Sequence, residues 1–79
     1  MIKVRLLSPE WNRSFEAEAV FLPGDLGEFE VLRNHAPIVS TLTAGKIRWR
    51  VEGGSEESLN IKWGVARLKD NCLNICVEV

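Results

Sequence analysis

Seventy-nine residues allow one domain at most, with an apolar fraction of 46% and a charged fraction of 27% that exclude a disordered or low-complexity chain. A net charge of −1 exerts no overall pull toward nucleic acid or anionic lipid. No apolar run approaches the roughly 20 residues needed to span a bilayer, and the alternating start Met1-Ile2-Lys3-Val4-Arg5 lacks the apolar core of a secretory signal, so the expectation is a soluble, intracellular protein.

Residues 2–6 alternate with period two, Ile2, Val4 and Leu6 opposite Lys3 and Arg5, and read as a half-buried strand that ends at Ser8-Pro9. Trp11 on the following loop is expected to lie as a lid over a small core. Residues 13–22 read as one strand or a bent pair, with Phe15, Ala17, Ala19 and Phe21 on one face. Glu16 and Glu18 start the other face, and Val20 and Leu22 end it, as when one strand serves two packed sheets. A helix over 14–20 is conceivable from its Glu and Ala content, but the alternation and the following Pro-Gly favour strand.

Residues 23–37 hold two of the three prolines, two of the six glycines and the only histidine. Pro23-Gly24 fits a type II turn with positive φ at Gly24. Residues 28–32 form a short strand with Phe29 and Val31 inward, residues 33–37 a second break, and residues 38–42 another strand that Thr43-Ala44-Gly45 turns. The clearest strand is 46–52: Ile47, Trp49 and Val51 face one way, Lys46, Arg48 and Arg50 the other. Gly53-Gly54-Ser55 makes a hairpin into 57–63, where Leu59, Ile61 and Trp63 are expected inward. Gly64 permits a bulge, residues 65–69 form a short strand, Asp70-Asn71 is a tight turn, and Leu73, Ile75 and Val77 pattern the last strand. About eight short strands with turn signals between them predict an all-β fold, a small sandwich of two packed, mostly antiparallel sheets over residues 1–79.

The chemistry on offer is sparse. Cys72 and Cys76 on one strand face would be about 13 Å apart at ~3.3 Å per residue, too far for a disulfide, and are expected as buried or half-buried thiols. One histidine and two cysteines are a poor supply of zinc ligands, so no metal is expected. His35 is the one side chain suited to base catalysis near neutral pH, yet no nucleophile motif accompanies it. The spacing of Gly24 and Gly27 matches no phosphate cradle, so no cofactor is expected either. The stripe of Lys46, Arg48 and Arg50 has its aromatic, Trp49, on the opposite face, which separates the two parts of a single-strand nucleic-acid surface. The residues alone therefore leave open a binding module, with single-stranded nucleic acid as one ligand, and a small hydrolase built on His35.

The central stretch resembles the epsilon subunit family of F-type ATP synthases, called delta in mitochondria. The resemblance rests on Gly27-Glu28, the short strand 29–32, Asn34-His35-Ala36-Pro37, the apolar run 38–42 and Ala44-Gly45, and extends to the strand into Ser8-Pro9 and to Gly64 with the Asp70-Asn71 turn. This chain departs from the family pattern at Glu30, where a glycine is usual, at Arg33, where proline is common, and at Trp63, where a small residue is usual. The family commonly continues into a C-terminal helical hairpin, which 1–79 does not include, so the ATP binding and inhibition of hydrolysis assigned to that hairpin are not expected of these residues.

The resemblance implies a β-sandwich at the foot of the central stalk, bound to the gamma subunit and to the membrane ring of c subunits. It implies a non-catalytic rotor part that couples proton or sodium flow to ATP synthesis. The place implied is peripheral, on the cytoplasmic face of the bacterial inner membrane, with no nucleic acid and no bilayer insertion. The positions that fall on family contacts with gamma or the ring are Ser8, Gly27, Glu28, Asn34, His35, Ala36 and Pro37.

Overall fold

Alternation of apolar and polar side chains gives strands with one face turned to a common interior. The computed structural model, which describes residues 1–79, has nine of them and no helix. They are β1 (Ile2–Leu7), β2 (Asn12–Ala17), β3 (Ala19–Gly24), β4 (Gly27–Leu32), β5 (Ile38–Leu42), β6 (Gly45–Arg50), β7 (Glu56–Ile61), β8 (Trp63–Lys69) and β9 (Cys72–Glu78). One half of the molecule is ordered β2-β1-β9-β8-β5, and the other is β3-β6-β7 with β4 on the free side of β3. Only β1 and β9 run parallel. The halves meet through a single residue pair, Gly24 on β3 opposite Leu42 on β5, and otherwise curl face to face.

The core lies between the two inner faces. Ile2, Val4, Leu6, Ala66, Leu68, Leu73, Ile75 and Val77 come from one half; Val20, Leu22, Val31, Ile47, Trp49 and Ile61 come from the other. Trp49 is the largest fully buried side chain, and Phe15 from the opposite half stacks on it at 4.6 Å between ring centres. Arg13 closes this open side. Its guanidinium lies 5.4 Å from the Phe15 ring centre and 5.3 Å from that of Trp49, and pairs with Glu57 of β7 at 2.8 Å.

The all-β sandwich expected from the pattern is what the chain forms, with five local departures. The stretch 13–22 is a bent pair, and the bend at Glu18 resets the alternation. Phe15 and Ala17 face inward before it; Val20 and Leu22 face inward after it, while Phe21 turns outward beneath Arg48, whose guanidinium lies 4.5 Å from the ring centre. A change of sheet partner, from β1 to β4 and β6, sets this phase. A second bend at Lys62, whose amide donates to the Glu78 carbonyl at 2.7 Å, turns Trp63 outward to 52% exposure instead of inward. Gly64, Ala66 and Leu68 take the inward positions.

Trp11 is no lid: it stays 36% exposed beyond the end of β1. The thiols of Cys72 and Cys76 are exposed rather than buried, because Leu73, Ile75 and Val77 take the inner face of β9. The type II turn is displaced as well. Pro23 and Gly24 belong to β3, Asp25-Leu26 form the turn, and the positive φ of 123° falls on Gly27. Gly24 is needed for space: a Cβ there would lie 2.8 Å from Phe29 Cε1 and 2.9 Å from the Gly27 carbonyl oxygen.

Two stability measurements follow. Gly24→Ala forces backbone at the turn to shift, and should cost roughly 1–3 kcal/mol, read as a melting temperature several degrees lower. Trp49→Ala should cost about 3–5 kcal/mol. Trp49→Phe should cost much less, because the buried Nε1 has no acceptor within the chain and its removal relieves an unpaired donor. An unchanged melting temperature for Trp49→Ala would contradict the inward placement of that ring.

Candidate docking surface

The residues singled out by the family resemblance occupy the two ends of the sandwich, not one continuous patch. At one end, Gly24 pairs with Gly27, the first residue of β4, across the Asp25-Leu26 turn, and Glu28 follows opposite Pro23. The turn is tied to β5: the Asp25 amide donates to the Thr41 carbonyl at 3.3 Å, and the Thr41 hydroxyl donates to the Asp25 carboxylate. Leu26 at its tip is fully exposed. Ser8 follows Leu7 at this same end but in the other half of the molecule, since Leu7 pairs with Cys76 near the end of β9. Its Oγ accepts from the amides of Glu10 at 3.3 Å and Trp11 at 3.2 Å, which makes it a turn-forming residue first.

Asn34, His35, Ala36 and Pro37 lie beyond the far end of β4, so roughly 17 Å of strand at ~3.3 Å per residue separates them from Gly27 and Glu28. This loop is built on asparagine. Asn34 sits at φ 65° and Asn71 at φ 60°, the left-handed region that asparagine tolerates better than other non-glycine residues. The Asn34 amide donates to Asn71 Oδ1 at 2.6 Å, and Asn71 Nδ2 donates back to Asn34 Oδ1 at 3.1 Å. Asp70-Asn71, both at positive φ, form the two-residue turn between β8 and β9, so one hairpin tip holds the neighbouring loop.

His35 is half-buried. Its amide donates to the Leu32 carbonyl at 3.1 Å, and its Nδ1 lies 2.7 Å from the Ala36 carbonyl, which requires the proton on Nδ1. That contact aims the ring by the backbone next to it, with no carboxylate or hydroxyl in the bond. Ala36 and Pro37 are exposed beside it.

The basic stripe of β6 is matched by acids on its own face. Arg48 pairs with Glu56 at 2.9 Å and with Glu28 at 3.3 Å, and Arg50 pairs with Glu18 at 3.3 Å. The hydrogen bond to Glu56 is the main cause that holds the Arg48 guanidinium above its usual range; desolvation opposes it, and the charges of Glu28 and Glu56 add to it. Glu28 thus has two roles: its carboxylate steadies Arg48 of β6, and its backbone stands opposite Pro23 of β3. These cross-strand carboxylates leave Lys46 as the one unpaired cation of the stripe, and a polyphosphate backbone would meet acids there.

The Asn34–Asn71 clasp had no signal in the sequence beyond asparagine's general liking for turns. Asn71→Ala removes both of its bonds and leaves a left-handed residue without asparagine's tolerance for that region. It should lower stability by about 1–2 kcal/mol and speed amide exchange at Asn34, read by hydrogen exchange; slow exchange at Asn34 in the variant would show that the clasp does not hold the loop.

Comparison with known proteins places this geometry in context. The family described as ATP synthase, Delta/Epsilon chain, beta-sandwich domain matches residues 1–79. An ATP synthase epsilon chain of Desulfitobacterium hafniense is 40% identical over 76 residues, covering 95% of this chain and 57% of that protein. The epsilon chain of Sulfurimonas denitrificans is 38% identical over 80 residues, covering 98% and 60%. The chain therefore spans somewhat under two thirds of the length of these relatives. Among solved structures, a chain of the Euglena gracilis mitochondrial ATP synthase superposes with a TM-score of 0.90 at 24% identity, over 96% of this chain and 49% of that one. A chain of the Tetrahymena thermophila mitochondrial ATP synthase, central stalk and c-ring, superposes with a TM-score of 0.82 at 16% identity, over 98% and 63%. At these identities the superpositions establish the shared fold.

Proposed function

We infer the role of this chain from the premise that it belongs to the delta/epsilon β-sandwich family of ATP synthases. The domain is a non-catalytic part of the rotor's central stalk. It links the gamma subunit to the ring of c subunits and helps couple ion flow, of protons or sodium, to ATP synthesis. It works peripherally, on the cytoplasmic face of a bacterial membrane; no helix of the chain is long and apolar enough to cross one. The observation that carries this reading is the family match over the whole of residues 1–79. The epsilon chains that resemble it along nearly its full length support it.

The physics of the domain suits such a role. A coupling part must hold its contacts at fixed separation under load, and it needs no reactive group. Here a closed apolar core lies between two loop-built ends, each tied by hydrogen bonds to a neighbouring strand or hairpin. We assign Gly27, Glu28 and Ser8 to a docking surface at one end, and Asn34, His35, Ala36 and Pro37 to a second at the other. Because these ends lie a strand's length apart, they engage different parts of the rotor.

The test is co-purification of the tagged chain with its cognate gamma subunit and c-ring at physiological salt, with gamma recovered in stoichiometric amount. Glu28→Gln and His35→Ala should each leave the melting temperature within a few degrees of wild type and weaken assembly. Their effects should multiply in the double variant, as expected for separate contacts. Recovery of neither partner would overturn the rotor reading. Full assembly by the double variant would leave the rotor reading and remove these residues from the interface.

A further inference from the structure

Four of the seven cations that form no ion pair lie together on the face opposite the β6 stripe. On the outer side of the first half, register places Lys3 of β1, Cys72 of β9 and Lys69 of β8 in one row. The next row on the same side is Arg5, Asn74 and Arg67. Adjacent strands lie about 4.8 Å apart and alternate residues about 6.6 Å, so the four charges mark the corners of a block roughly 10 Å by 7 Å.

All four are exposed, and none forms an ion pair or donates a side-chain hydrogen bond; every ion pair in the molecule uses Arg13, Arg48 or Arg50. Two carboxylates adjoin the block: Glu16, opposite Lys3 on edge strand β2, and Asp70, next to Lys69 in the β8-β9 turn. With a net charge of −1 for the chain, the rest of the surface is net acidic. The block also has relief. One shallow groove runs between Lys3, Arg5, Ser14, Glu16, Cys72 and Asn74, and another between Arg5, Leu7, Val65, Arg67 and Cys76.

We propose that this face of β1, β9 and β8 is a docking surface for an acidic protein segment. Four like charges held unpaired on a rigid sheet repel one another, and a partner carrying carboxylates at matching spacing removes that repulsion. On an acidic helix lying across the strands, carboxylates seven residues apart span about 10.5 Å, the width from Lys3 to Lys69. Asn74 at the centre, with both a donor and an acceptor, fits a polypeptide contact.

A nucleic acid fits the face poorly, because single strands need aromatic platforms among the cations and these two rows hold none. The exposed ring nearest in the sheet, Trp63, lies opposite Glu78. A bilayer or a duplex presents a charged surface wider than the block and would also meet Glu16 and Glu78. The proposal stands on the charge arrangement alone and does not rest on the rotor reading.

The experiment uses the whole chain and a fluorescein-labelled helical peptide with glutamates at i, i+4, i+7 and i+11, read by anisotropy. Binding should be saturable and should weaken steeply as salt rises from 20 to 200 mM (about the range over which the screening length falls below the block's dimensions). Arg5→Glu combined with Arg67→Glu should weaken it at least tenfold. Lys46→Glu combined with Lys62→Glu, the same change of charge off the face, should weaken it less than threefold. If the charge reversals lower the melting temperature, Arg5→Gln with Arg67→Gln replaces them.

The exposed thiols give a second reading: bound peptide should slow maleimide alkylation of Cys72, measured in a Cys76→Ser background. Equal losses in the two double variants, no protection of Cys72, or no binding at 20 mM salt would overturn the proposal. So would tighter binding to phosphatidylglycerol vesicles or to an oligothymidylate than to the peptide, because the face would then serve lipid or nucleic acid.

Discussion

The structure depends on a close approach at Gly24. Strand β3 serves β4 on one side and β6 on the other, and at its last residue it also reaches β5 of the opposite half. That third contact is one residue pair long, and it is where the two halves become a single curled sheet. The backbone can crowd there because Gly24 has no Cβ to meet the Phe29 ring and the Gly27 carbonyl. The Asp25-Leu26 turn, its ties to Thr41 and the direction in which β4 leaves all follow from this position. At the opposite, open side the halves have no shared strand. They are held by Phe15 on Trp49 with Arg13 above both.

Much of this fold was legible in the sequence, for a local reason. Within a strand, the face of each residue is fixed by its neighbour, so Ile2, Val4 and Leu6, or Leu73, Ile75 and Val77, could be assigned inward from spacing alone. The failures sit where the chain changes partner. At Glu18 and at Lys62 one residue is taken out of the alternation, and a slip of one residue moves every following side chain to the other face. That is why Phe21 and Trp63 lie outside. The slip is set by which strand comes next in the sheet, and no window along one strand contains that information. The turn at 23–27 failed differently: both glycines were recognised, but one answers to crowding and the other to a positive φ, and spacing does not tell these apart.

The electrostatics show the same limit. Counting charges along a single strand singled out Lys46, Arg48 and Arg50, which the structure surrounds with Glu18, Glu28 and Glu56 from neighbouring strands. The unpaired block is invisible to that count, since β1 and β8 contribute only two cations each and β9 none. It exists because a parallel pairing of the first and last strands brings Lys3 and Arg5 beside Cys72 and Asn74, and a hairpin brings Arg67 and Lys69 to the other side. Ion pairs at such exposure contribute little to stability. Their consequence is for recognition: the arginines of one face are already paired, and the four cations of the other are not.

A chain of this size buries a thin core, so its stability and its contacts are hard to separate. Any partner that binds the folded form adds to its stability by mass action. The residues proposed for docking are each held by contacts within the chain. Ser8 and His35 each commit a polar group to their own loop, Asn34 bonds the neighbouring hairpin turn, and Glu28 holds Arg48. The loops that would meet a partner are thus shaped before it arrives, which lowers the ordering cost of binding. On the proposed reading, the stretch around the lone histidine, His35, forms two preformed contacts held apart by one short strand.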